Sequence, residues 1–364
     1  MIISNSRTLM CFCVHRGVWQ DRAGEIVYDH EYAYEGEGEW IGMDLELRTV
    51  LCDLLGIKYP IIQGGMAWIA TAELAAAVSN AGGLGIIGAG SMPPELLRVE
   101  IRKLKQLTDK PYGVNLVMWE IFFLEQLDVI CEEGVQIITT GVGDPRPMME
   151  RLEGYPAKII PVVPTARHAR RMEEAGVTAV VASGADGGGH VGEVGTLVTV
   201  PLVVDAVCLP VIAAGGIADG RGLVAALALG ACGIQMGTRF IATRESPAHE
   251  NYKRLIMSAS EEDTVVTGKY TGSTMRVIQN KFTEEWLTKE VMQMDKNELR
   301  RMGVGRIRLA AVEGDVADGS VPAGQVIGMI KEEKAVRELI TGIIEEALEI
   351  IAKLGAKIIS KNIR

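Results

Sequence analysis

The sequence is poor in aromatic residues, in histidine and in paired cysteines. Aromatics make up 5% of the 364 residues, too few for a platform that stacks single-stranded nucleic acid. The six cysteines, Cys11, Cys13, Cys52, Cys131, Cys208 and Cys232, contain no C-x-x-C pair. A chain this long buries its core without disulfides, so a reducing, cytoplasmic setting fits best. Cys11 and Cys13 lack the second pair that a zinc site would need. Basic residues are outnumbered, 37 against 47, for a net charge of −10, which disfavours nucleic acid and anionic membranes as partners. No long clean hydrophobic run occurs. The most apolar window, Leu197 to Ile217, is broken by Pro201, Asp205, Pro210 and Gly215-Gly216, and reads as a buried helix followed by a buried strand. The first apolar stretch is too short and too polar for a secretory signal. Gly-x-Ser-x-Gly, His-Glu-x-x-His and Walker motifs are all missing, which removes the familiar hydrolase, zinc-protease and nucleotide-triphosphate readings.

Glycine is plentiful, with 42 residues, and it clusters in doublets after apolar runs. From Tyr59 those runs recur at strand length: Pro60–Gln63, Leu84–Gly88, Gly113–Met118, Val135–Thr140, Lys158–Val163, Ala179–Ala182, Pro210–Ala214 and Gly233–Gly237. Segments of helical period separate them, and Pro247–Ala259 follows the last. Runs that are apolar on both faces belong to a parallel sheet covered by helices. Eight evenly spaced units favour a closed (β/α)8 TIM barrel over an open doubly wound sheet. Residues 43–259 are assigned to this barrel and 260–330 to a small C-terminal α+β domain over its mouth, with strands at Thr264–Val266 and Met275–Ile278 and a helix at Thr288–Met302. Residues 331–364 carry a C-terminal helix, Lys331–Ile351, that packs on the body. Residues 1–42 lack the rhythm and read as an atypical extension, with Met43 as the expected natural start.

Barrel enzymes build their sites from the loops after the strands. The first strand ends in Gln63-Gly64-Gly65-Met66-Ala67, where glycine allows close approach of a flat ligand. The seventh ends in Ala214-Gly215-Gly216-Ile217 and the eighth in Gln235-Met236-Gly237-Thr238-Arg239. Glycines at two consecutive final strands point to a phosphate cradle. The sixth strand leads into Ser183-Gly184-Ala185-Asp186-Gly187-Gly188-Gly189-His190. His190 reads either as a ligand-facing imidazole or as a surface histidine on a mobile loop. Cys208 and Cys232 fall at the wrong end of the barrel for catalysis and read as core residues. A phosphate cradle without a nucleophile implies a phosphorylated organic cofactor, and FMN fits. A colourless barrel that binds a sugar phosphate and a non-catalytic flavin protein are the rival classes.

These motifs, with Gly-Val-Asn at 113–115, resemble the FMN-dependent nitronate monooxygenase (2-nitropropane dioxygenase-like) superfamily. The blocks Ala248-His249-Glu250-Asn251-Tyr252-Lys253, Gly314-Asp315-Val316 and Gly319-Ser320-Val321-Pro322-Ala323-Gly324-Gln325 make the chain more similar to its enoyl-[acyl-carrier-protein] reductase II branch. The resemblance spans about Leu45 to Ala347. It implies that Gly64, Gly65, Met66, Ala67, Asn115, Ser183 and Gly188 surround FMN. It places the phosphate on Gly215, Gly216, Gly237 and Thr238, with Gln235 and Met236 alongside, and makes His190 the catalytic histidine. The sequence departs from the family at Ser183, where Gln or Glu is usual, and at Asp186-Gly187, where Glu-Ala is usual. The latter change bears on the monovalent-cation site that some members use. The implied activity is NADH- or NADPH-driven reduction of trans-2-enoyl thioesters on acyl carrier protein in fatty acid synthesis, by a homodimer. Nitronate monooxygenase or NADH:quinone reductase activity is the alternative. Arg300, Arg301, Arg306 and Arg308 are the candidate patch for the acidic carrier protein.

Overall fold

Runs such as Lys158–Val163 have no polar face to offer water, so they must be covered on both sides. The computed structural model, which describes residues 46–90, 92–118, 120–141 and 143–359, covers them by closing a barrel. The strands in chain order are β1 (Ile61–Gln63), β2 (Gly85–Gly88), β3 (Tyr112–Leu116), β4 (Ile137–Thr140), β5 (Lys158–Val163), β6 (Val180–Ser183), β7 (Gly189–His190), β8 (Val211–Ala214) and β9 (Gly233–Met236). All but β7 form one parallel sheet in the order β1-β9-β8-β6-β5-β4-β3-β2. A bridge from Ile62 to Leu84 joins its edges, with Leu84 N–H donating to Ile61 O at 2.9 Å and Gln63 N–H to Leu84 O at 3.0 Å. The expected TIM barrel is therefore present. Residues 1–42 and Met43 lie outside the described residues.

Helices α1 (Val50–Leu55), α2 (Ala72–Asn80), α3 (Pro94–Leu107), α4 (Phe123–Glu132), α5 (Arg146–Arg151), α6 (Ala166–Glu174), α7 (Thr196–Val204) and α8 (Gly220–Ala228) precede or alternate with the strands. Sequence logic sets their ends: prolines open α3, and Asp219 caps α8 by accepting from Arg221 N–H and Gly222 N–H. Leu51, Cys52 and Leu55 of α1 join Ile62, Ile86, Ile137, Ile160, Val181 and Ile212 in a cluster that fills the barrel from its N-terminal end. A larger shell packs the helices onto the outer strand faces.

The short helices α9 (Thr238–Ile241) and α10 (Glu250–Ser258) lead into β10 (Thr264–Thr267) and β11 (Met275–Ile278). The helix expected at Thr288–Met302 is instead two, α11 (Lys281–Val291) and α12 (Lys296–Gly303), followed by α13 (Arg306–Ala311). Gln293 between them takes the left-handed conformation, φ 53°, and Asp295 caps α12 by accepting from Asn297 N–H and Glu298 N–H. The Asp295/Glu298 spacing was the available signal. The final helix, α14 (Val336–Ile359), starts later than expected because Lys334 is held in a strand-like bridge to Thr243. It lies along α8, where a Cβ at Gly220 would come 2.6 Å from Ala347 N. Glycine at 220 permits that approach, and Glu346 Oε2 accepts its N–H at 2.8 Å.

Candidate functional site

Side chains alternate along a strand, so residues two places beyond the interior isoleucines face the same way, one layer nearer the C-terminal mouth. The ladders align Gly88, Asn115 and Thr139 across β2 to β4, and Ser183, Ala214 and Gln235 across β6, β8 and β9. This layer is glycine and polar where the one beneath it is isoleucine and valine. Asn115, Ser183 and Gln235, chosen from sequence, all sit in it. Asn115 Nδ2 donates to Thr139 Oγ1 at 2.9 Å, which fixes the amide. A Cβ at Gly65 would lie 2.5 Å from Asn115 Cγ, and one at Gly64 would lie 3.3 Å from the Gln235 side chain. A side chain at 65 would therefore displace Asn115, whereas one at 64 would need only a small shift of Gln235. Met66 and Ala67 follow, half-buried. Next comes Trp68 with φ 66°, a rare conformation for a bulky residue, under the Arg308 guanidinium at 5.7 Å. Nothing in the sequence marked that strained position.

The cradle glycines converge from β8 and β9. Gly215 and Gly216 adopt φ of 96° and 69°, which a side chain would strain. Gly237 is different: its φ is −111°, and a Cβ there would meet only Met66, at 3.5 Å from Sδ. Met236 turns its side chain into the outer core, so only its backbone reaches the mouth. Thr238 is buried, and its Oγ1 accepts the Gly324 N–H at 3.0 Å. Asp186 would place an unwelcome carboxylate beside an anion. It is engaged instead by Thr196 N–H at 2.6 Å, at the start of α7, and lies near Arg276.

The glycine-rich segment after β6 is ordered by pairing. Gly189 and His190 of β7 align with Arg276 and Met275 of β11, which in turn pairs with β10. His190 Nε2 lies 3.2 Å from Ser273 Oγ. The ring is exposed at its edge, yet the surrounding protein lowers its pKa below the ordinary 6.5 by desolvation, so it is neutral at pH 7. A Cβ at Gly188 would sit 2.6 Å from the backbone joining Ala323 to Gly324. Gln325 N–H donates to Asp186 O at 3.0 Å. The strip 322–325 is thus laid against the glycine loop. The sequence marked that block only as a family signature, and it did not mark Ser273 at all.

A cavity of about 640 Å³ starts at Gly215, Gly216, Asp186 and Gln325 and runs outward between α7 and α8. His190, Asn115 and Gln235 do not line it, so it opens on the Gly215-Gly216 side and not at the barrel mouth. Cys208, expected in the core, is exposed. Cys232 is half-buried, and burial pushes its thiol up to about 12. Of the four arginines proposed as a patch, three are engaged within the chain. Arg300 donates to Thr271 O, Arg306 donates to Asp318 O and stacks on Phe282, and Arg308 pairs with Glu313. No helix among the described residues is long and apolar enough to cross a membrane.

Comparison with known proteins agrees with this geometry. A family model described as nitronate monooxygenase matches residues 48–121 and 117–346. The solved structure of FabK from Thermotoga maritima is 47% identical, covers 85% of this chain and 99% of that one, and superposes with a TM-score of 0.82. A (3aS,4S,5R,7aS)-5-hydroxy-7a-methyl-1-oxo-octahydro-1H-indene-4-carboxyl-CoA dehydrogenase of Rhodococcus jostii is 34% identical over 85% of this chain and 98% of its own length. A probable nitronate monooxygenase of Staphylococcus saprophyticus is 39% identical over 65% of this chain and 80% of its own. These matches, with the glycine-lined mouth and the cradle beside it, make the protein a flavin-dependent oxidoreductase, and the chain belongs to the nitronate monooxygenase family.

Proposed function

We propose that the protein is an FMN-dependent, NAD(P)H-driven reductase of trans-2-enoyl thioesters carried on acyl carrier protein. The observation that carries this reading is the joining of a phosphate cradle, a mouth closed to side chains, and a neutral histidine at its rim. Similarity to FabK, an enoyl-[acyl-carrier-protein] reductase II, supports the enoyl substrate, and the dehydrogenase named for a CoA thioester supports a thioester.

The residues present fit FMN. Gly237 has room for a methyl group in the protein alone, so its lack of a side chain answers to something else near the cradle. In this reading Gly215, Gly216, Gly237 and Thr238 hold the phosphate through the backbone. Gly64, Gly65, Met66 and Ala67 line the ring, and Asn115, Ser183, Gly188 and Gln235 border it. When bound, FMN supplies the two-electron chemistry that side chains lack. The chain's own contribution is positional. The loop 64–67 excludes water from the mouth. His190, neutral at pH 7, presents a ring N–H that binds the thioester carbonyl oxygen. Ser273 holds the ring from the neighbouring hairpin turn.

The test is NADH oxidation by the purified yellow protein under nitrogen, with and without crotonyl thioester. Oxidation that requires the thioester supports the reductase. Indifference to the thioester, with consumption of alkyl nitronate in air, would reassign the activity to the monooxygenase type. His190→Ala should keep FMN and lose about 10²–10⁴-fold in turnover. Full turnover in that variant would remove the histidine from the mechanism.

A further inference from the structure

Glu290 stands in the last turn of α11, where the helix macrodipole disfavours a carboxylate. Its partners lie on the turn between β10 and β11. Glu290 Oε2 accepts the Gly268 N–H at 3.1 Å, and Oε1 accepts the Tyr270 N–H at 3.0 Å. Arg300 of α12 holds the same turn, with Nη2 donating to Thr271 O at 2.8 Å. Lys296, also of α12, places its Nζ 4.7 Å from the centre of the Tyr270 ring.

The turn needs such support. Gly268 and Gly272 both adopt φ 79°, and glycine loses the most freedom on being fixed. A Cβ at Gly268 would clash with Ser273 O, so no side chain can stiffen the backbone there. Ser273 is exposed, and its Oγ lies 3.2 Å from His190 Nε2. Thr274 O accepts the Val191 N–H at 3.2 Å, so the turn also pairs with the backbone beside the histidine.

We propose that Glu290 is a positioning residue for His190: its carboxylate fixes the β10–β11 turn, and the turn fixes the Ser273 hydroxyl that holds the imidazole, with Arg300 as the second clamp. That role depends on the part given to His190 in the reaction above. A carboxylate that accepts from backbone N–H groups makes charge-assisted bonds, roughly twice as strong as neutral ones. Glutamine at 290 keeps one acceptor and turns an amide N–H toward the other donor, so it releases one end of the turn at nearly constant volume.

The test uses the full-length protein loaded with FMN. Rates with NADH and crotonyl thioester are measured for Ser273→Ala, Glu290→Gln and the double variant. Each single variant should lower kcat about 5- to 10-fold, as for loss of one hydrogen bond, with KM for NADH and flavin content unchanged. The double variant should lose no more than about 10-fold, because residues of one network do not act independently. Losses that multiply, or a Glu290→Gln protein with wild-type kcat, overturn the proposal. The NMR resonances of the His190 ring nitrogens, assigned by their loss in His190→Asn, give a readout that needs no turnover. They should move in the same direction in Glu290→Gln as in Ser273→Ala, and unmoved resonances in Glu290→Gln overturn the proposal. A wild-type protein that ignores the thioester sinks only the reductase reading, and the resonances then decide the role of Glu290. Should Glu290→Gln fail to fold, Arg300→Gln removes the second clamp and is held to the same outcomes. Glu284→Gln, exposed on the same helix, is the control and should match the wild type.

Discussion

Replacing Gly237 by alanine separates what the protein needs from what its ligand needs. The backbone there has φ −111°, which any residue adopts, and the new methyl group would meet only Met66 Sδ, at 3.5 Å. Protein-only terms are therefore small. Gly237 precedes the one-turn helix α9, and alanine is a poorer residue than glycine at such a boundary, so the apoprotein should lose no more than about 1 kcal/mol. The bound state should respond differently. A methyl group at the cradle obstructs an anion and removes a charge-assisted hydrogen bond worth about 1.5–3 kcal/mol, which corresponds to a roughly 10–150-fold rise in Kd for FMN. Flavin fluorescence titration reads the second quantity, and urea unfolding of the apoprotein reads the first. Gly216→Ala provides the contrast. Its φ of 69° makes alanine costly without any ligand, by about 1–2 kcal/mol, so stability and affinity should fall together. Unchanged FMN affinity in a stable Gly237→Ala protein would refute the placement of the phosphate at this cradle.

Four further outcomes are expected. Gly65→Ala should cost about 1–3 kcal/mol by forcing Asn115 from its bond to Thr139, with weaker FMN binding, as seen by thermal melts with and without flavin. Lys253 is buried and donates to Glu333 Oε1 and Thr243 O, both at 2.8 Å; Lys253→Met should lower stability by about 2–4 kcal/mol in denaturant unfolding. His190 has a folded-state pKa below its unfolded value of about 6.5, so the unfolded chain binds more protons in the interval between them. Its stabilising contribution is present above pH 6.5 and lost as pH falls through the folded value, and a plot of Tm against pH for His190→Asn should lack that component of the acid slope. Gly188→Ala should loosen the strip 322–325, because the clash is with backbone that cannot rotate away, and hydrogen exchange at Gly324 and Gln325 should rise.

The barrel was legible because strand, helix and turn are local signals. Pro94–Leu107 and Lys158–Val163 occupy the residues their periodicity indicates, since a double-sided apolar run and a proline-opened amphipathic run each have one stable solution. The glycine doublets at the ends of the strands located the mouth for the same reason. Elements whose limits depend on distant partners were not legible. Residues 331–335 read as helix until Lys334 pairs with Thr243, and His190 reads as a loop residue until Met275 aligns with it. Cys208 reads as core because it lies just before the seventh strand, at the end of the barrel away from the site, yet the chain turns it outward. The sequence alone determined the fold class and the family. Tertiary structure decided which groups act on one another: Asn115 with Gly65, Ser273 with His190, and Gly324 with Thr238. Each of those contacts joins segments far apart in the chain, and their distance is set by the barrel's register and closure, which no local propensity encodes.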